Sequence, residues 1–315
     1  MTLYKSPVFR LGDAGSRRAL WRYWLRDPLA GLRDAATQGL LRPLPSEAVS
    51  AFGGRLGRLH GAGRKETSVT IQDLFRRLRP DVTPEERAAM EAALWEHLGR
   101  VVAELCVLDR LWREGRIEVE GSVHLTAARD AGRPLLFAGM HVGNWEAAAA
   151  GLIGLGLPLA WFYQALPSRF DTLLALKSRT RMPVRMLHPV PSSAVAARRI
   201  LAHREAAVLM FVDEYVGGRV HAPALGREAR AEGNIHRLVR MAALTGAVVL
   251  PVHALRLGQA ARFRLVVGPE VPMLRLPRDP GALAADQAVL DGVVDAAVRA
   301  HPEQWLMATS FRWDR

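Results

Sequence analysis

The chain has 315 residues, half of them hydrophobic, with 43 Lys and Arg against 31 Asp and Glu and a formal net charge of +12. That composition excludes a disordered chain and leaves room for one large domain, or one domain with a helical extension. Forty of the 43 cations are Arg, and the first 80 residues hold fifteen cations against six acids. The excess charge therefore sits in the N-terminal quarter and points to anionic partners: lipid head groups, phosphates or nucleic acid.

Residues 1–45 contain no apolar signal-peptide core and no small-residue cleavage site, so the mass of the chain is expected in the cytoplasm. Within 17–41, Trp21, Trp24, Leu25, Leu29, Leu32, Ala36 and Leu40 recur at helical spacing, interleaved with Arg17, Arg18, Arg22, Arg26 and Arg33, and Pro28 kinks or divides the helix. Indoles on one face and guanidiniums on the other suit a helix lying in the plane of an anionic membrane. The same pattern also fits a helix packed on its own domain. We delimit residues 1–45 as a basic amphipathic membrane-associating segment and 46–315 as the main domain.

Further helices are expected over 46–78, broken at Gly61-Ala62-Gly63. Thr83-Pro84-Glu85-Glu86 places an N-cap Thr, a Pro at the first helical position and a Glu three residues after the cap, opening a helix to about Trp112. The single cysteine, Cys106, falls in its apolar pattern and reads as a buried structural thiol.

Beyond residue 115 short apolar runs at 134–139, 159–163, 184–187, 207–212, 248–255 and 263–267 alternate with helical patterns at 144–155, 169–180, 192–204, 231–245 and 281–300. This predicts an α/β fold: a mostly parallel or mixed central sheet flanked by helices, preceded by an N-terminal helical region. The uncharged stretch 147–168 is long enough to span a bilayer by count. Gly151, Gly154, Gly156, Pro158 and Gln164 divide it instead into a helix, a turn and a strand.

The run at 134–139 delivers His141 to the carboxyl end of a strand, where open α/β sheets place ligands. Gly143 allows a tight turn, Asn144 caps the next helix, and Glu146 falls in its first turn, so His141 and Glu146 can approach one another. A neutral imidazole can take a hydroxyl proton near pH 7, and a carboxylate on its other nitrogen fixes the tautomer. Free N–H groups at the helix start could stabilise an oxyanion or a phosphate. Spacing alone equally allows a structural histidine, a glutamate stabilised by the helix dipole and an asparagine that only caps. No cysteine/histidine cluster suggests a metal.

The stretch His141-Val142-Gly143-Asn144-Trp145-Glu146 resembles the His-x4-Asp/Glu motif of glycerolipid acyltransferases, and its HxGNWE form is similar to the lipid A late acyltransferase family, which includes phosphatidylinositol mannoside acyltransferases. Similar segments continue at Glu118-Val119-Glu120-Gly121, Leu176-Lys177-Ser178-Arg179, Phe211-Val212-Asp213-Glu214, Gly226, 233–238, 245–252 and Pro302-Glu303-Gln304-Trp305-Leu306. The resemblance implies a glycerolipid acyltransferase-like fold, with 46–315 as the acyltransferase domain. It also implies transfer of a fatty acyl chain from an acyl carrier protein or coenzyme A thioester to a hydroxyl of a lipid A precursor. His141 would be the general base, with Glu146. Asn144, Gly143, Arg179, Asp213 and Gly226 would bind substrate. The thioester is a co-substrate, and no cofactor or metal is implied. The expected partners are the acyl donor, an anionic glycolipid and the cytoplasmic face of the bacterial inner membrane.

The chain departs from the family pattern at Tyr163-Gln164-Ala165, at Asp213-Glu214-Tyr215 and over 307–312. Another glycolipid, an aminolipid or a polyketide-like alcohol therefore stays open as acceptor, as does a lipid-binding member without catalysis. Nucleic-acid binding rests on net charge alone, without a recognition motif or aromatic platform, and is not expected.

Overall fold

The protein is described by a computed structural model covering residues 14–188 and 190–314; residues 1–13 of the basic segment lie outside the described residues. Helix α1 (Ala14–Trp21) passes through a π-helical turn at Arg22–Arg26 into α2 (Asp27–Leu41). Pro28 occupies the first turn of α2, where its missing N–H has no intrahelical partner to lose. It therefore begins the second helix.

Three longer helices follow: α3 (Ser46–Ala62), α4 (Lys65–Leu78) and α5 (Pro84–Glu104). The expected capping box is formed, with the Glu86 N–H donating to Thr83 Oγ1 at 3.2 Å and the Thr83 N–H donating to Glu86 Oε2 at 2.7 Å. The helix ends earlier than its apolar pattern suggests, in a 3-10 turn at Leu105–Val107 before the short α6 (Leu108–Leu111). There the Cys106 carbonyl accepts from the guanidiniums of Arg42 and Arg181, which interrupts the helical ladder. Cys106 itself is buried. A Cβ on Gly57 would lie 2.1 Å from the Trp95 carbonyl oxygen, and one on Gly99 would lie 2.2 Å from that of Gly53. Only hydrogen at these positions lets α3 and α5 pack nearly backbone to backbone.

The alternating half comprises β1 (Ile117–Glu120), α7 (Ser122–Asp130), β2 (Leu135–Gly143), α8 (Trp145–Gly154), β3 (Leu159–Phe162), α9 (Arg169–Arg179), β4 (Val184–Leu187), α10 (Pro191–Ala202) and β5 (Ala207–Phe211). A two-stranded hairpin, β6 (Tyr215–Val216) and β7 (Arg219–Val220), precedes α11 (Gly233–Thr245), β8 (Val248–Arg256), β9 (Phe263–Val267) and α12 (Pro280–Ala300). The seven-stranded sheet has the order β1-β9-β8-β2-β5-β3-β4, with every neighbouring pair parallel except β8 and β9. This is the expected mixed α/β architecture with its helical N-terminal region. The apolar runs missed β1, whose alternation of Ile and Val with Glu suits an edge strand, and the hairpin, which is too short for a periodicity.

Strand β2 is central, and its side chains divide the core. Leu136, Ala138, Met140 and Val142 pack with α10, α11 and α12 residues on one face, while Phe137 packs with the Ala-rich α8 on the other. Stretch 147–168 resolves into α8, a turn, β3 and a loop, with Ala147, Ala148, Ala149 and Ala150 buried. No helix among the described residues is long and apolar enough to cross a membrane.

Candidate active site

Strands β2 and β5 are parallel neighbours with Gly139 opposite Phe211. Two residues further on stand His141, still in β2, and Asp213, just past the end of β5, so the register brings them face to face. His141 Nδ1 lies 2.8 Å from Asp213 Oδ1, and the His141 backbone N–H donates to Asp213 Oδ2 at 2.8 Å. The Trp305 indole N–H donates to the same Oδ2 at 2.9 Å. Asp213 is fully buried, and an ionised carboxylate only accepts, so the proton between the two residues belongs on Nδ1. That leaves the Nε2 lone pair unprotonated, and Nε2 has no hydrogen-bond partner among the described residues. Phe211 stacks on the imidazole at 4.4 Å between ring centroids, and Trp145 meets it edge-on at 5.3 Å.

Glu146 occupies the first turn of α8 as expected, but it does not pair with His141. Its carboxylate accepts from Arg179 Nε at 3.0 Å and from Arg179 Nη2, and it accepts from the Trp145 indole at 3.1 Å. The expected pairing across the turn is corrected for a geometric reason. Strand β2 continues through Gly143, so Glu146 leaves toward α9 while the imidazole faces β5. Burial works against the Arg179 charge, but Glu146 more than offsets it and holds the guanidinium protonated. Arg179 also stacks over Trp161 at 4.6 Å. The structure thus joins Arg179 to the site through Glu146.

Gly143 has φ +69°, and a Cβ there would lie 1.9 Å from the Ala254 carbonyl oxygen, so glycine is required twice over. Asn144 caps α8, its Oδ1 accepting from the N–H groups of Glu146 and Ala147 at 3.0 Å each. Two of the N–H groups expected to be free for an anion are therefore occupied. The Asn144 amide donates to Glu104 Oε2 at 2.7 Å, and Glu104 pairs with both Nη atoms of Arg256 at 2.7 Å. Arg256 Nε donates to His97 Nδ1 at 3.2 Å, so His97 Nε2 carries the proton it gives to the Gly143 carbonyl at 3.0 Å. Burial and the adjacent Arg256 push the His97 pKa down to about 3. This buried network from α5 and β8 locks both ends of the 143–144 turn. The reading by motif missed it. Its signal was the recurrence of Glu96, His97, Arg100 and Glu104 along one side of α5, among Leu94, Leu98, Val101 and Val102.

Gly226 lies away from these groups' hydrogen bonds, on a cleft lined by Arg77, Arg219, Arg227 and Trp313. Among the described residues no group of histidine, cysteine and carboxylate side chains has metal-binding geometry.

Next to Asp213, Glu214 is buried; its Oε1 accepts the Asn234 N–H at 2.5 Å, and its Oε2 has no hydrogen-bond partner among the described residues. Burial pushes the Glu214 carboxyl from 4.5 up to about 8, against the pull of the Asn234 N–H. The raised pKa means that the protonated form contributes stability in full below about pH 4.5, which is lost as pH rises through about 8. Glu214→Gln keeps the acceptor and cannot ionise. Its melting temperature should therefore gain on the wild type as pH rises through that window. A difference between the two proteins that does not vary with pH would refute this.

A histidine oriented by a buried carboxylate at the carboxyl edge of an α/β sheet is an arrangement able to do acid/base chemistry. The family model of the bacterial lipid A biosynthesis acyltransferases matches residues 33–313, and the chain belongs to this family of acyltransferases. No curated protein gives a significant match.

Proposed function

We propose that the protein moves a fatty acyl chain from an acyl carrier protein or coenzyme A thioester to a hydroxyl of a lipid A precursor, with His141 as general base and Asp213 as the group that orients it. The observation that carries this reading is the Asp213 carboxylate on His141 Nδ1, which leaves Nε2 as the proton acceptor. The acceptor oxygen attacks the thioester carbonyl carbon as its proton passes to Nε2. Collapse of the tetrahedral intermediate breaks the C–S bond, and the imidazolium returns the proton to the departing thiolate. Glu146 acts by holding Arg179, and by fixing the Trp145 indole that packs on the imidazole. Gly143 and Asn144 set the turn.

We further propose that the reaction takes place at the cytoplasmic surface of the bacterial inner membrane. Trp21, Trp24, Leu25, Leu29, Leu32 and Leu40 are all exposed, alongside exposed Arg17, Arg18, Arg22 and Arg26. Arg169 ties this segment to α9 by stacking over the Tyr23 ring at 3.8 Å. Indoles and guanidiniums so placed favour an anionic lipid interface.

A second reading keeps the chemistry with another alcohol as acceptor. One observation favours it: Gln164 Nε2 donates to the Tyr215 carbonyl at 3.2 Å, so two of the segments that depart from the family pattern meet in space.

The test is to incubate the purified protein with acyl-carrier and acyl-coenzyme A thioesters and with separate acceptor lipids in anionic vesicles, and to weigh the lipids. A lipid A precursor heavier by one acyl chain is expected. Acylation of a different acceptor alone would select the second reading, and no acylation of any acceptor would defeat both. In the same vesicles Trp21→Ser/Trp24→Ser should sediment less with lipid; unchanged partitioning would remove the membrane assignment.

A further inference from the structure

A helix on a water-facing surface ordinarily buries its large apolar side chains and exposes its polar ones. Helix α3 does the reverse. It buries Ser46, Ser50, Gly53, Gly54, Gly57 and Gly61, together with Val49. Its large apolar residues Phe52, Leu56 and Leu59 are 40%, 48% and 72% exposed. The i, i+4, i+7 spacing of these three sets them in one stripe along the outer face.

The packing against α5 fixes this orientation. A Cβ on Gly53 would lie 2.5 Å from the Ala103 Cβ, and one on Gly61 would lie 2.3 Å from the Trp95 ring, in addition to the close approaches at Gly57 and Gly99. Turning α3 about its axis to bury Leu56 or Leu59 would drive those side chains into the α5 backbone. The stripe is therefore held outward by backbone sterics, and its apolar area gains only from a surface that comes to it from outside.

The stripe continues the exposed apolar series of the N-terminal helices. Leu41 and Val49 belong to the same buried cluster, so the end of α2 and the start of α3 are seated on it together. Beside them Leu40 and Leu44 are exposed, which extends the series of Leu29 and Leu32 along the chain toward Phe52. Charge selects what covers this face. Arg55 and Arg58 are exposed on α3, and exposed Arg64 and Lys65 follow it. Arg58 pairs with Glu96 at 3.4 Å and Glu47 pairs with Arg116 at 3.1 Å, while no salt bridge among the described residues neutralises Arg55. A second copy meeting the stripe across a two-fold axis would set like guanidiniums against each other. Anionic head groups meet them with opposite charge, and the acyl boundary takes the phenyl ring and the leucines.

We propose that the outer stripe of α3, formed by Phe52, Leu56 and Leu59 with Arg55, is a second lipid-binding face that docks on an anionic bilayer beside the α1–α2 segment. It rests on the membrane reading above and goes beyond it by giving the main domain its own contact with lipid. Two attached faces restrict how the domain can turn on the bilayer.

The test is sedimentation of the full-length protein with phosphatidylcholine vesicles, with and without phosphatidylglycerol. Leu56→Ser/Leu59→Ser should lower partitioning onto the anionic vesicles about tenfold or more, with the melting temperature preserved because both side chains already stand in water. Arg55→Glu should lower it about fivefold, and only where phosphatidylglycerol is present. A direct readout uses Leu59→Cys carrying an environment-sensitive fluorophore, since the native Cys106 is buried. Its emission should shift to the blue when anionic vesicles are added, and this shift decides the matter if the double variant fails to fold. Weakened binding of Trp21→Ser/Trp24→Ser, combined with unchanged binding of Leu56→Ser/Leu59→Ser or no shift at Leu59→Cys, would overturn the proposal and leave the membrane reading standing. No binding by the wild type would remove both. A dimer in light scattering that Leu56→Ser/Leu59→Ser dissociates, with vesicle binding unaffected, would assign the stripe to a second copy instead.

Discussion

Asp213→Asn is expected to lower acyl transfer on the order of 10³–10⁴-fold with little loss of fold, because it inverts the tautomer of His141. Three N–H donors converge on the native carboxylate, two of them, from the His141 backbone and Trp305, on Oδ2. The oxygen of an asparagine amide must take the Oδ2 position, since an NH₂ group there would face two donors. Its NH₂ then faces His141 Nδ1, which becomes an acceptor, and the proton moves to Nε2, where the base is needed. His141→Ala should lose activity to a similar extent, whereas Glu146→Gln keeps an oxygen for Arg179 and should lose less. Initial rates with a saturating thioester, alongside thermal melts of each variant, make the comparison. If Glu146→Gln proves as inactive as Asp213→Asn, Asp213 is not the carboxylate that orients the base.

Breaking the Glu104–Arg256 pair should cost more stability than any other single change at this site. Both residues are buried, and each Nη of Arg256 meets a Glu104 oxygen at 2.7 Å. Removing one partner leaves a buried charge uncompensated, at about 3–5 kcal/mol. Arg256→Met is therefore expected to lower the melting temperature on the order of 10 °C, and to cost activity as well by freeing Asn144 and the 143–144 turn. The double variant Glu104→Met/Arg256→Met removes both charges and should recover much of the lost stability, though the Asn144 amide and His97 Nδ1 lose their partners. Urea midpoints of the three proteins measure the coupling. Additive losses would mean that the pair is not the stabilising unit.

The contrast between the two carboxylates explains what local sequence conveys. His141 and Glu146 stand five residues apart in a recognisable motif, and the motif correctly placed the Asn144 cap and the first helical turn, although β2 runs on past His141 to Gly143. It did not reveal which carboxylate serves the imidazole. That partner lies 72 residues further along the chain and arrives by strand register. Arg179, flagged as a binding residue by resemblance, proved to be the partner of Glu146, 33 residues away. Arg77, Arg219 and Trp313 meet only because α4, the β6–β7 hairpin and the C-terminal residues converge, so no window of sequence contains their cleft.

By itself the sequence determined the α/β class, the helical N-terminal region, the Thr83 and Asn144 caps, the glycine that turns the chain into α8 and a histidine on the strand before it. Each depends on periodicity, capping chemistry or backbone sterics within a few residues. Only the tertiary structure decided the proton's place on Nδ1, the pairing of Glu146 with Arg179 and the buried path from Asn144 through Glu104 and Arg256 to His97. Hydrogen bonds and ion pairs of this kind act over about 3 Å, and the groups that make them are brought within that range by sheet register and helix packing, not by their distance along the chain.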